Sequence, residues 1–189
     1  MVNLYDPNEV PDASLVQAAL KKSDDFVFLL NRYQEPIARF VARLNNYSLE
    51  DNEDLLQQIW LKVYLNLNSY KPEKKFSSWL YAIARNQTIS YHRKRQTRAE
   101  GHQQSLEDLV DSQLAAALNL EDDLHLRLEQ DRVKEALKTI KPKFREILIL
   151  SFLEEKNYQE ISEILKKPTG TVASLLNRAK KSLREKLEL

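Results

Sequence analysis

Apolar residues recur along most of this chain at intervals of three and four, the period of a helix with one buried face. The clearest case is residues 52–64, where Leu55, Ile59 and Val63 form a stripe flanked by Leu56 and Trp60. Asp54, Gln57, Gln58 and Leu61 fall at i, i+3, i+4 and i+7 and share an adjacent face. An acid, two amides and a leucine differ from the mixed Lys and Glu of a solvated face, and they suit a partner surface. On pattern alone, a surface helix with ordinary polar residues is the simpler reading.

The same periodicity places the other elements. Asp12 is a cap for a helix over roughly 13–21. Ser23-Asp24-Asp25 opens a second, burying Phe26, Leu29, Leu30, Tyr33, Ile37, Phe40, Val41 and Leu44, with a kink or break expected at Pro36. After a loop at 45–48, the helix described first runs to about Asn68. A basic loop, 69–76, precedes a helix that starts at Ser77 or Ser78 and ends near Arg95, with Leu80, Ile83, Ala84 and Ile89 inward. In the last third, Val133, Ala136, Leu137 and Ile140 make one stripe, ended by Lys141-Pro142, and Phe144, Ile147, Leu148, Leu150, Phe152 and Leu153 make another. A short helix at 158–165 and a turn at 166–170 lead to a final helix at 171–187. Its buried stripe is Val172, Leu175, Leu176, Ala179, Leu183 and Leu187.

These elements predict an all-α protein of two small helical domains. A flexible arm covers 1–11, the first domain 12–96, a flexible acidic linker 97–131 and the second domain 132–189. Two Gly and six Pro among 189 residues favour helices over turn-rich sheet. No apolar run is long enough to span a membrane, and the first residues lack the basic-then-apolar order of a signal peptide. The absence of cysteine excludes disulfides and thiol catalysis and fits a cytoplasmic address.

Charge adds a division that the net value of +1 conceals. Residues 1–70 are net −4, 71–105 net +6, 106–131 net −7 and 132–189 net +6. Two basic blocks separated by an acidic one are positioned to grip a polyanion at two points.

The chemistry follows from where those blocks lie. A short helix, a tight turn and a longer helix at the carboxyl end form a helix-turn-helix pattern, the second helix suited to a DNA major groove. Thr169 or Thr171 is placed to cap that helix, whose amino end offers N–H groups to a phosphate. Ser174, Asn177, Arg178 and Lys181 lie off the apolar stripe, toward base edges or phosphates. A plain helical hairpin is the alternative; seven basic residues and one acidic between 166 and 186 favour DNA. In the 70–95 segment, Tyr70, Phe76, Trp79, Tyr81 and Tyr91 interleave with Lys71, Lys74, Lys75, Arg85 and Arg93, a mixture suited to unpaired bases. Phe76 and Trp79 are better read as core, leaving Tyr70 as the stacking candidate. His92, His102 and His125 are scattered, and there is no glycine-rich phosphate loop or nucleophile elbow, so no catalytic residue, metal or cofactor is expected. Glu154 and Glu155 fall in an expected loop as solvated charges.

At three places the residues resemble the extracytoplasmic-function (ECF) branch of bacterial sigma factors. These are Glu53-Asp54-Leu55-Leu56-Gln57-Gln58-Ile59-Trp60, Phe76-Ser77-Ser78-Trp79-Leu80-Tyr81-Ala82-Ile83-Ala84-Arg85-Asn86, and Tyr158-Gln159-Glu160-Ile161 with Gly170-Thr171-Val172. The resemblance implies sigma region 2 followed by sigma region 4. The protein would bind core RNA polymerase, at the clamp coiled coil and the flap, together with duplex and single-stranded promoter DNA, with an anti-sigma protein as a further partner. No membrane insertion and no small-molecule substrate are implied. By the same resemblance, Asp54, Gln57, Gln58 and Leu61 contact polymerase. Tyr70 and Asn86 form a pocket for a flipped −10 base, Lys71 and Lys75 hold the strand, and Arg93 and Lys94 hold the adjoining duplex. Ser174, Asn177, Arg178 and Lys180 face the −35 element. The acidic linker would imitate nucleic acid in basic channels.

This chain departs from the family pattern at four positions. Ala173 and Leu175 stand where basic residues are common, Lys166 where glycine is frequent and Ser162 where alanine is. A weaker phosphate grip by the recognition helix is expected. Two rival functions remain at this level: a free-standing helix-turn-helix regulator, and a sigma-like module that titrates an anti-sigma protein.

Overall fold

In the computed structural model the residues described are 10–45, 47–99, 132–133, 135–137 and 139–187. The expected arm and linker therefore lie almost wholly outside the described residues. An amino-terminal body comprises α1 (Asp12–Lys21), α2 (Phe26–Leu44), α3 (Leu49–Leu65) and α4 (Phe76–Ala99). A carboxy-terminal body follows. Helical residues between 132 and 139 lead into α5 (Pro142–Leu148), a π turn (Ile149–Leu153), α6 (Tyr158–Leu165) and α7 (Thr169–Leu187).

The stripe of α3 does what its spacing predicts. Leu55, Ile59 and Val63 are fully buried against α2 and α4, each stabilising by roughly 1.5–3 kcal/mol. Ser48 caps the helix, its Oγ accepting from the backbone N–H of Asp51 at 3.1 Å. Pro36 does not break α2, which is one helix from Phe26 to Leu44. The proline lacks one N–H donor, but Leu29 before it and Ile37, Phe40 and Val41 after it are all fully buried. Core contacts on both sides hold the helix through that gap.

Helix α4 runs to Ala99, past the expected end near Arg95. The Arg95 guanidinium pairs with Asp51 in the first turn of α3 and lies 5.2 Å over the Tyr47 ring. Burial alone would raise the Asp51 carboxyl, but hydrogen bonds from Arg95, Ser48 and Tyr91 outweigh it and hold the group below the usual carboxylate range.

In the carboxy-terminal body, a capping box opens α6. Asn157 Oδ1 accepts from the Glu160 N–H at 3.0 Å, and Glu160 Oε2 accepts from the Asn157 N–H at 3.0 Å. The helix closes on Lys166, which is left-handed at φ 52°. Ser162 Oγ donates to the Lys167 carbonyl at 2.6 Å and ties the turn down from its other side. α7 then starts at Thr169, two residues earlier than expected, because the Pro168 carbonyl accepts the first helical bond from Val172 at 3.0 Å. Thr169 and Thr171 therefore sit inside the first turn rather than at the cap.

A left-handed conformation strains any residue with a Cβ, so the Lys166→Gly variant should be more stable. Part of the relief is cancelled by the greater freedom of glycine in the unfolded chain, leaving a gain of about 0.5 kcal/mol. Urea denaturation reads it directly, and a loss of stability would contradict the strain argument.

The two bodies pack on each other, α4 along α6 and the π turn against α2, and their buried side chains form one continuous core. Glu154 corrects an expectation. It is not a solvated loop charge: its side chain is 5% exposed, the carboxylate accepting from Arg43 at 2.6 Å and from the Tyr81 hydroxyl at 2.7 Å. An isolated acid in sequence carries no mark of a distant arginine, here 111 positions away.

Candidate nucleic-acid interface

The outer face of α3 is open. Asp54, Gln57 and Gln58 are exposed, and Leu61 is 59% exposed. Leu65, one turn on from Leu61, is 64% exposed, and Tyr64 is 44% exposed with its ring edge-on to Phe26 at 5.2 Å. These two apolar residues extend the face beyond the residues singled out from sequence. The signal was there, since Leu65 continues the i+4 step from Leu61.

The loop and first turns of α4 are arranged differently from the expectation of an open stacking platform. Tyr70 is only 9% exposed; its hydroxyl donates to the Lys74 carbonyl at 2.7 Å and its ring meets Phe76 edge-on at 5.4 Å. Burial, followed by the charges of Asp12 and Glu73, raises its pKa. Phe76 is core at 1% exposed, and Trp79 is half-buried beside Tyr70 at 5.9 Å. Lys71 and Lys75 are exposed at the loop, and the Lys75 ammonium lies 3.1 Å from Glu160. Along α4, Asn86, Arg93 and Lys94 are exposed, with Asn86 Oδ1 accepting from Arg85 at 3.3 Å. Asn86, Arg93, Lys94 and Thr97 repeat at helical spacing, so they line one outward strip.

On α7, Ile161, Ile164 and Leu165 of α6 and Val172, Leu176 and Ala179 of α7 are buried, which seats the second helix on the first. Thr169, Thr171, Ser174, Asn177, Arg178 and Lys181 are exposed. Ser174 Oγ donates to the Gly170 carbonyl at 2.9 Å, and Lys181 lies 3.9 Å from Glu185. Lys180 stands apart from this row. Its ammonium is 5.2 Å over the Phe152 ring, at a cavity of about 460 Å³ that Val133, Leu148 and Leu187 also line. Leu175 is half-buried against the core, so it serves packing rather than the outward row. A helical body joined to an outward row of polar and basic side chains on the second helix of a helix-turn-helix defines a DNA-binding protein of that class.

Comparison with known proteins narrows the class. The sigma-70 region 2 family profile matches residues 29–98, and the sigma-70, region 4 profile matches residues 130–183. The ECF RNA polymerase sigma factor SigW of Bacillus subtilis is 30% identical over 174 residues, covering 89% of this chain and 92% of the relative. The ECF RNA polymerase sigma-E factor of Haemophilus influenzae is 29% identical over 185 residues, with 92% of each chain covered. Among solved structures, the sigma factor RpoE of Bartonella quintana, in complex with the anti-sigma factor NepR, superposes with a TM-score of 0.69. It is 24% identical and covers 87% of this chain and 98% of that one. CnrH, in complex with the cytosolic domain of CnrY, superposes at 0.67, with 20% identity over 94% of this chain and 97% of that one. The chain belongs to the ECF family of RNA polymerase sigma factors. It is a DNA-binding regulatory protein that directs transcription initiation. Among the described residues, no helix is long and apolar enough to cross a membrane.

Proposed function

We propose that residues 12–96 act as sigma region 2 and residues 132–189 as sigma region 4, with the chemistry divided between three faces. The outer face of α3, through Asp54, Gln57, Gln58 and Leu61, docks on the polymerase clamp coiled coil. The start and outer strip of α4 hold the −10 element. Lys71 and Lys75 bind the strand, Tyr70 and Asn86 receive a flipped base, and Arg93 and Lys94 meet the adjoining duplex. Given its packed position, Tyr70 serves as the floor of that pocket or swings out to make it. The row Thr169, Thr171, Ser174, Asn177, Arg178 and Lys181 meets the −35 duplex. Lys180, at the apolar cavity, sits nearer a protein partner such as the polymerase flap. An anti-sigma protein is a further partner, in line with the complexes of the two structural relatives. The chain works by recognition in the cytoplasm, with core polymerase supplying catalysis.

The observation that carries this reading is the exposed face of α3. A free-standing helix-turn-helix regulator leaves an acid, two amides and a run of exposed apolar residues there without a role. Purified protein with core polymerase should start transcripts from a cognate promoter. Asp54→Ala combined with Gln57→Ala should weaken core binding about tenfold or more while leaving helix content intact. Unchanged core affinity in that variant would remove the clamp assignment.

A further inference from the structure

The chain between α3 and α4 is short and closed on itself. Two local bonds bring it out of α3: the Ser69 N–H donates to the Asn66 carbonyl at 2.9 Å, and the Tyr70 N–H to the Leu67 carbonyl at 3.1 Å. A turn follows with Pro72 at its second position, a place that the fixed φ of proline suits. The Lys74 N–H closes that turn by donating to the Lys71 carbonyl at 3.0 Å. The carbonyl of the same Lys74 accepts from the Tyr70 hydroxyl at 2.7 Å. Both backbone polar groups of Lys74 are therefore held, one by the turn and one by Tyr70. Lys71, Pro72, Glu73, Lys74 and Lys75 are all exposed, whereas Tyr70 is buried. Three lysines within these five residues repel one another, so a loop of this charge needs a tie to keep one shape.

Tyr70 is itself fixed from behind. Its ring meets Phe76 at 5.4 Å and Trp79 at 5.9 Å, and those two rings lie 5.5 Å apart, so three aromatics pack as one cluster. Tyr33 of α2 packs on the Phe76 ring at 5.5 Å, and its own hydroxyl donates to Asp12 of α1 at 2.6 Å. Asp12 also accepts from Arg32. A line of contacts thus runs from α1 through α2 and α4 to the Lys74 carbonyl. A base stacks on an open aromatic face, and a ring 9% exposed among these neighbours offers little of one. Swinging it out would break the bond to Lys74 and strip the cluster at once.

We propose that Tyr70 is a positioning residue for −10 capture: its hydroxyl clasps the Lys74 carbonyl and sets the shape of the 71–75 loop, and that preset loop, rather than the Tyr70 ring, discriminates the captured base. The proposal rests on the −10 reading above and makes Tyr70 the floor of the pocket. A loop held in one shape admits the base that fits it and has no ordering cost left to meet on binding, whereas a loose loop adapts to any base.

Two substitutions at Tyr70 separate the roles. Tyr70→Phe removes the hydroxyl and keeps the ring; Tyr70→Leu removes both and keeps apolar bulk in the cluster. In the free full-length chain, hydrogen exchange of residues 71–75 should be about threefold faster in Tyr70→Phe, with the α4 amides and the helical circular dichroism unchanged. Base preference is then read from run-off transcripts of the holoenzyme on a cognate promoter whose −10 positions are randomised. Tyr70→Phe should relax that preference about fivefold at the captured base, and Tyr70→Leu should do no more. A ring that stacks on the base gives the reverse, with Tyr70→Phe matching wild type and Tyr70→Leu losing about tenfold or more. That pattern overturns the proposal, as does exchange that stays at the wild-type rate in Tyr70→Phe. A lower transcript yield with the base preference intact overturns the specificity role. Wild-type holoenzyme that starts no transcript counts instead against the initiation reading, and the exchange comparison still decides the clasp.

Discussion

Ile59→Ala should cost the amino-terminal body about 2–5 kcal/mol, whereas Leu61→Ala, two residues away, should change stability by less than about 0.5 kcal/mol. Ile59 is fully buried, so truncation removes three carbons from a site closed in by α2 and α4 and leaves a cavity that helices pinned at several points fill poorly. Leu61 is 59% exposed on the opposite side of the same turn, and its loss leaves only a smaller outward face. The expected divergence extends to function. Leu61→Ala should weaken core polymerase binding with unfolding unchanged, while Ile59→Ala should lower the urea midpoint and impair every activity in proportion to the unfolded fraction. If Leu61→Ala were instead as destabilising as Ile59→Ala, α3 would be turned differently on the core, and the polymerase assignment of Asp54, Gln57 and Gln58 would fall with it.

A second large effect is expected at the other end of the chain. Arg178 is exposed on the outward row of α7, with Asn177 beside it. A two-pronged arginine contact to guanine discriminates by about 1–3 kcal/mol, so Arg178→Ala should weaken holoenzyme binding to −35 duplex about ten- to hundredfold and relax preference at one base pair. Lys181→Ala should act differently, weakening all duplexes alike and lowering the salt slope by about one. The contrast matters because, on the proposed −35 reading, α7 has few cations to spare. Leu175 is committed to packing and Ala173 has no charge, so each remaining basic residue would carry a larger share of the proposed grip. Electrophoretic shift of holoenzyme on promoter duplex, run across a salt series and a set of single base-pair changes, separates the two. A uniform loss with Arg178→Ala would make it a phosphate contact.

Much of this was legible in the order of residues. A three-four period needs only the geometry of a helix, and it placed Leu55, Ile59 and Val63 inward and Asp54, Gln57, Gln58 and Leu61 outward, as the structure has them. The helix-turn-helix was readable for the same reason, since its signals lie within thirty residues or so of one another. Local rules failed where a distant partner decided the outcome. Pro36 was expected to kink or break α2, and the helix runs unbroken through it with core residues on either side. The end of α4 was set near Arg95, and the helix runs on to Ala99. Tyr70 looked like an open stacking ring because a loop aromatic between cations has no sequence mark of the Phe76 and Trp79 that enclose it.

The sequence by itself determined the helices, their buried stripes, the division of charge and the family. Each of these follows from local spacing or from motifs short enough to read directly. Only the tertiary structure decided how the two bodies meet. It turned Glu146, Glu154 and Glu160 from surface charges into partners of Arg85, Arg43 and Lys75, because an ion pair depends on distance in space, and the positions that form these pairs lie 61 to 111 residues apart along the chain.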